Sequence, residues 1–304
     1  ASQIAERLGV SPLIIGLTIV GFGTSAPELV VSVMGALRGE TALAFGNVVG
    51  SNILNLALVL GAAATFRAIE SQGKLVRREI PLLLLVTSVI SVMALDGVLE
   101  GSTPLIGRSD SVVLLLLFGI FVYLSVQDLV LARRKDTLLT EIEGHPAIVS
   151  TAPAGNGFKT ILMLLLGFVL LFLGGETTVR SSVALSEQLG MSTALIGLFV
   201  IAVGTSMPEL VTCIIAAWRK ESDLAMGNVI GSNIFNSLIV LPAGGLVSTI
   251  PVPSGGLLDL GLSWVLTAAL IPIFFLGKAR LGRGAGLTLL LTYFAYAIYR
   301  VSVG

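Results

Sequence analysis

The sequence predicts an all-α polytopic membrane protein of two inverted halves, and three observations predict it. Of 304 residues, 55% are hydrophobic and only 12% are charged, whereas a soluble domain carries roughly 25% charge to cover its surface. The hydrophobic residues fall in runs of about 17 to 25, the length that crosses a hydrocarbon layer roughly 30 Å thick. One block of sequence occurs twice, at residues 9–60 and 190–241, without gaps at an offset of 181 and with about half its positions identical.

Taken in order, the expected spans are 11–37, 42–65, 80–97, 110–132, 158–180, 191–218, 223–249, 257–277 and 284–302, nine in all. The first two and the sixth and seventh carry the duplicated block. Five spans separate the start of one copy from the start of the other, so the second copy enters the membrane from the opposite face. Inverted repeats of this kind place a shared site at the midplane and expose it to each side in turn.

The basic residues test this topology. With the polar stretch 133–157 in the cytoplasm, Arg7, Arg67, Lys74, Arg77, Arg78, Arg133, Arg134, Lys135, Lys159, Arg219, Lys220, Lys278, Arg280 and Arg283 fall inside. Arg38, Arg108, Arg180 and Arg300 fall outside. Such a bias is the positive-inside pattern of a multi-pass protein. The expected organisation is a first half at 1–132, a flexible cytoplasmic linker at 133–157 and a second half at 158–304.

Copy two is led in by the apolar span 158–180, but copy one has no such span before it. Residues 1–9 read as an amphipathic start and show no cleavable signal peptide. The expectation is therefore nine spans here and ten in a parent with a first helix.

Composition also excludes function classes. The 18 basic and 18 acidic residues balance, with no basic tract for nucleic acid. Cys213 is the only cysteine and His145, in the polar linker, the only histidine. An intrachain disulfide, zinc-protease motifs and His-based triads are thus ruled out, and no P-loop supports ATP use. No paired aspartate motif suggests an intramembrane enzyme, so a non-enzyme without cofactors is expected, with no obligate protein partner inferred.

Two motifs recur within the copies. Gly23-Thr24-Ser25-Ala26-Pro27-Glu28-Leu29 returns as Gly204-Thr205-Ser206-Met207-Pro208-Glu209-Leu210. Gly46-Asn47-Val48-Val49-Gly50-Ser51-Asn52-Ile53-Leu54-Asn55 returns as Gly227-Asn228-Val229-Ile230-Gly231-Ser232-Asn233-Ile234-Phe235-Asn236. Pro27 and Pro208 lack an N–H and should break their helices, freeing carbonyls at about 20–23 and 201–204. Glu28 and Glu209 then stand near the bilayer centre, where a charge costs at least about 2.5 kcal/mol. No Lys or Arg lies within either helix pair to neutralise them.

Thr24 and Ser25 precede Glu28 by four and three residues, as Thr205 and Ser206 precede Glu209, which puts them on the same helical face as the glutamates. Ser51 with Asn55, and Ser232 with Asn236, are likewise four apart. The whole set is oxygen, the donor type of hard cations and not of zinc or copper. Gly46, Gly50, Gly227 and Gly231 read as close-packing positions. Asp96, Glu100, Asp110, Glu40 and Asp259 lie near span ends or in loops as ordinary solvated charges, and Glu176 near a helix end as a snorkelling or capping group.

The paired GTSxPEL and GNVxGSN motifs resemble the two repeats of the calcium/cation antiporter superfamily, in its prokaryotic-type sodium/calcium exchanger branch. The resemblance covers essentially the whole chain. It implies an inverted-repeat cation exchanger fold of ten helices, central loop cytoplasmic, in a prokaryotic cell membrane. It also implies a calcium site at Glu28 and Glu209 with the carbonyls of Thr24 and Thr205. Sodium sites would use the same glutamates with Ser25, Ser51, Ser206, Ser232 and the backbone of Gly21 and Ala202. Asn55 and Asn236 take the remaining polar positions. Potassium-dependent members carry aspartate at the place of Asn236, and proton-coupled members typically carry GNxxEL in place of GTSxPEL. The expected function is thus exchange of calcium for sodium. Proton- or potassium-coupled exchange and a cation channel are the alternatives.

Overall fold

A computed structural model describes residues 16–70, 75–99, 101–143, 157–277 and 279–303. The expectations for residues 1–9, for His145 and for most of the linker fall outside the described residues.

The Pro break splits each repeat's first helix as the sequence requires. In copy one α1 (residues 16–24) ends at Ser25, and α2 (Ala26–Leu37) begins after it. A three-residue turn leads into α3 (Thr41–Phe66). Copy two repeats this as α7 (Thr193–Thr205), α8 (Met207–Trp218) and α9 (Ser222–Val247), with a 46° bend between α7 and α8. Met207 stands 181 residues after Ala26, and Ser222 stands 181 after Thr41. The remaining helices are α4 (residues 75–99), α5 (Arg108–Glu143), α6 (Gly157–Leu189), α10 (Gly256–Leu276) and α11 (Arg283–Val303).

Six of these helices are long and apolar enough to cross a membrane: α3, α4, α5, α9, α10 and α11. The bent pair α7–α8 makes a seventh. The other two expected spans, 11–37 and 158–180, fall on α1–α2 and α6. Two boundaries differ from expectation. Helix α5 runs past 132 to Glu143, into the stretch expected as flexible linker. Residues 133–143 are polar but hold Arg, Lys, Leu and Glu, all good helix formers, so helix propensity prevails over the loop-like composition. Helix α6 continues to Leu189, nine residues beyond its expected end.

The core sits where the repeats meet. The apolar windows of α3 and α9 are 94% buried, against 17% for α5 and 28% for α11. This makes α3 and α9 the protein-facing centre and puts α5 and α11 at the lipid boundary. The buried centre tolerates Asn, Ser and Gly because their partners come from protein and not from lipid. The glycines let backbones touch. A Cβ on Gly46 would stand 2.2 Å from the Ala194 carbonyl oxygen of α7, and on Gly231 2.6 Å from the Leu17 carbonyl oxygen of α1.

Two short antiparallel ribbons tie the ends. β1 (Ile69–Glu70), after α3, pairs with β4 (Arg280–Leu281), between α10 and α11. β3 (Ile250–Pro251), after α9, pairs with β2 (Leu105–Ile106), between α4 and α5. β1 and β2 lie on either side of α4 in the chain.

Two acids differ from their expected roles. Glu176 of α6 neither snorkels nor caps: it accepts from Arg180 at 2.7 Å and from the Arg38 Nε at 2.9 Å, fastening α6 to the end of α2. Asp259 is not a solvated end charge. It is 2% exposed and forms a two-point pair with Arg300, at 2.7 and 3.2 Å. The span ends here are packed against loop 252–255 and are not open to water, so position along the chain misjudged burial.

The turn after the second helix of each repeat holds a local strain. Gly39 takes φ +80°, and at the equivalent place Lys220 takes φ +66°. A side chain in that region costs about 1–2 kcal/mol that glycine escapes. Lys220→Gly is therefore expected to stabilise the protein by about 1 kcal/mol, read as a higher Tm; an unchanged or lower Tm refutes it.

Candidate cation site

The break positions the carboxylates. Ser25 has φ −86° and ψ 6°, and Ser206 has φ −88° and ψ 9°, each ending one helix and opening the next. Pro27 and Pro208 occupy the first turn of α2 and α8, where a missing N–H costs nothing. They also withdraw the donor that would have met the carbonyls of Gly23 and Gly204. Glu28 and Glu209 fall in the same first turn, at the positive end of the helix dipole. Both are 0% exposed.

The hydroxyls cross between copies. Glu28 Oε1 accepts from Ser206 Oγ at 3.0 Å and Ser51 Oγ at 3.4 Å. Glu209 Oε1 accepts from Ser25 Oγ at 3.2 Å and Ser232 Oγ at 3.1 Å. Each carboxylate is therefore held by one serine of its own copy and one of the other. Thr205 Oγ1 donates to Asn47 Oδ1 at 3.2 Å, and Thr24 Oγ1 to Asn228 Oδ1 at 3.3 Å, again across the copies.

One oxygen of each carboxylate has no such partner. Glu28 Oε2 and Glu209 Oε2 are buried without a hydrogen bond, as are both amide atoms of Asn55 and Asn236. Buried polar atoms ordinarily find partners, so a symmetric set of orphans marks a place for a ligand. Among the described residues no basic side chain pairs with either glutamate. Two unneutralised carboxylates and two amide oxygens fit a hard cation as cargo.

The structure thus brings Glu28, Glu209, Ser25, Ser206, Ser51, Ser232, Thr24 and Thr205 into one network. Gly21 and Ala202 lie in it by backbone: the Gly21 carbonyl accepts from Thr24 Oγ1 at 3.3 Å and Ser232 Oγ at 3.5 Å, and that of Ala202 from Thr205 Oγ1 at 3.4 Å. Asn55 and Asn236 are fully buried but bonded to none of the others.

Sequence reasoning missed Asn47 and Asn228. Asn47 Nδ2 donates to Ser32 Oγ at 2.9 Å and to the Glu28 carbonyl at 3.3 Å, while Asn228 Nδ2 meets the Glu209 carbonyl at 3.4 Å. The available signal was spacing, since Asn47 precedes Ser51 by one helical turn. A crevice of about 910 Å³ between α6 and the break reaches Pro27, Gly204 and Thr205.

The family model described as "Sodium/calcium exchanger protein" matches residues 1–127 and 159–302. The chain belongs to this family. It is 36% identical over 248 residues to inner membrane protein YrbG of Escherichia coli, covering 82% of this chain and 73% of YrbG. It is 29% identical over 319 residues to the sodium/calcium exchanger MaX1 of Methanosarcina acetivorans, covering 98% and 91%. Among solved structures, the sodium-calcium exchanger NCX_Mj, soaked with Na+ and Sr2+, superposes with a TM-score of 0.71 at 26% identity. That match covers 100% of this chain and 90% of the other. The fold is that of a polytopic membrane exchanger.

Proposed function

We propose that the chain is a secondary-active antiporter that exchanges calcium for sodium by alternating access at a midplane carboxylate site. The observation that carries this reading is the crossed glutamate pair, in which each buried carboxylate keeps one oxygen free. One calcium, or a set of sodium ions, neutralises the charge there, and the ligands are those named from the sequence. An empty, doubly charged site crosses an apolar barrier poorly, so occupied states alone change face and exchange is obligatory.

Several observations support the finer parts. The two ribbons, on either side of α4 in the chain, support inverted halves. The basic residues support a cytoplasmic stretch between α5 and α6. Val211, Ile214 and Ile215 of α8 are exposed, whereas Val30, Val33 and Met34, their counterparts on α2, are partly covered. Helix α6 does that covering, with a Cβ at Gly175 only 2.5 Å from Val30. The matching face of α8 has no such cover among the described residues. Asparagine at 55 and 236 keeps the site to two carboxylates and favours sodium over potassium as the coupling ion.

Radiolabelled calcium uptake into proteoliposomes, with sodium, potassium and proton gradients imposed in turn, tests the reading. Uptake driven by sodium alone is expected. Uptake driven equally without any gradient would instead make the protein a channel. Calcium at about a hundred times its Kd is also expected to stabilise the purified protein by about 2.7 kcal/mol. A calcium-independent Tm would contradict a preformed site.

A further inference from the structure

We propose that Asp259, Arg300 and Tyr296 form a one-sided strut that positions the broken helix α7, and through it the copy-two half of the cation site. Tyr296 of α11 donates its hydroxyl to Asp259 Oδ1 at 2.7 Å, the oxygen that also accepts from Arg300 Nε at 2.7 Å. Arg300 further donates to Asp259 Oδ2 at 3.2 Å and to the Ser254 carbonyl at 3.2 Å. Asp259, Arg300 and Tyr296 are 2%, 5% and 7% exposed. Gly255 lies against the guanidinium with φ +75°, and a Cβ there would stand 2.6 Å from Arg300 Cζ. The pair is therefore locked to the α10 entrance from three directions.

The output of this lock is the Tyr296 ring. It packs on Phe199 of α7, with centroids 5.8 Å apart and planes at 53°. Phe199 lies three residues before Ala202 and six before Thr205, on the rigid segment that ends at the break. Fixing the Tyr296 hydroxyl fixes the ring, and the ring fixes the register of α7 beside Asn47 and Glu28.

The matching positions of the other half hold different residues. In register with α10, the counterpart of Asp259 is Arg78. Counting from β2 and β4, the counterparts of Tyr296 and Arg300 are Phe121 and Ser125, and that of Phe199 is Thr18. Aspartate, tyrosine and arginine are each replaced by another residue there, although Arg78 brings a guanidinium and Ser125 a hydroxyl. Apolar side chains could join α10 to α11 at no greater cost than a buried ion pair. What the pair adds is a single geometry, and it adds it to one copy only. The two faces of the exchanger are then unequal although the glutamates are symmetric.

This inference rests on the exchange reading above. Tyr296→Phe keeps the ring on Phe199 and removes only the bond to Asp259; Phe199→Leu removes the stacking. In sodium-driven uptake both are expected to raise the half-saturating calcium concentration about threefold or more, with the maximal rate little changed. A lower Tm with unchanged half-saturation in both variants would make the cluster merely structural and overturn the strut. Wild-type protein that takes up no calcium would overturn the exchange reading itself, and with it the strut's role.

Discussion

Glu28→Gln and Glu209→Gln will each abolish sodium-driven calcium uptake, the largest effect expected of any single change in the chain. Glutamine preserves the size of the side chain. Its oxygen can still accept from Ser206 and Ser51 at position 28, or from Ser25 and Ser232 at position 209. What it removes is one of two negative charges in a site without a basic neighbour. A divalent cation would then be buried with one uncompensated charge, at a penalty of several kcal/mol. Each 1.36 kcal/mol is a factor of ten, so uptake should fall at least about a hundredfold. The fold should survive, because the hydroxyl network keeps its acceptors. Wild-type uptake in either variant would refute the assignment of the pair.

The two variants should also behave alike. The crossed serines make each glutamate depend on both copies, so neither carboxylate is a spare. A large difference between them would mean that the copies contribute unequally at the site, and the strut on α7 names where that inequality would arise.

The site was legible in the sequence because its chemistry lies in residue type. A proline in an apolar run breaks a helix wherever it stands, and an unpaired glutamate at membrane depth calls for a cation. The duplication fixed which residues are equivalent. What was not legible follows from the same break. Spacing placed Ser25 on one face with Glu28, but that argument needs a continuous helix. Once α1 and α2 part at Ser25, its hydroxyl turns to Glu209 of the other copy. The contact between Asn47 and Thr205 depends in the same way on how copies pack, which local periodicity does not encode. Asp259 shows the opposite limit: its place near a span end suggested solvent, and only the packing of loop 252–255 with Arg300 reveals it as buried. Helix α5 ran through a polar stretch because polarity alone does not end a helix.

Gly50→Ala should be among the most damaging changes outside the glutamates, and Gly204→Ala the matched change that does little. In sequence the two look alike, each a motif glycine in a membrane helix. In the fold they differ completely. A Cβ at Gly50 would lie 2.4 Å from the Leu198 carbonyl oxygen and 2.8 Å from its Cα, both backbone atoms of α7 that no rotamer change can move. Even weak C–H to carbonyl contacts sit at about 3.3–3.6 Å, so α7 must retreat by close to 1 Å. Overpacking of this kind costs about 1–3 kcal/mol. The retreat also carries Thr205 away from Asn47, and a displacement of 1 Å at a working site can cost about a hundredfold in rate. Gly204 has nothing within 4 Å of its Cβ position, and alanine there gains helix propensity of up to about 1 kcal/mol. The expected result is a lower Tm with calcium uptake reduced at least about tenfold for Gly50→Ala, beside equal or higher Tm and near-normal uptake for Gly204→Ala. Equal behaviour of the two would show that α3 and α7 are not held in the close contact on which the geometry of the site depends.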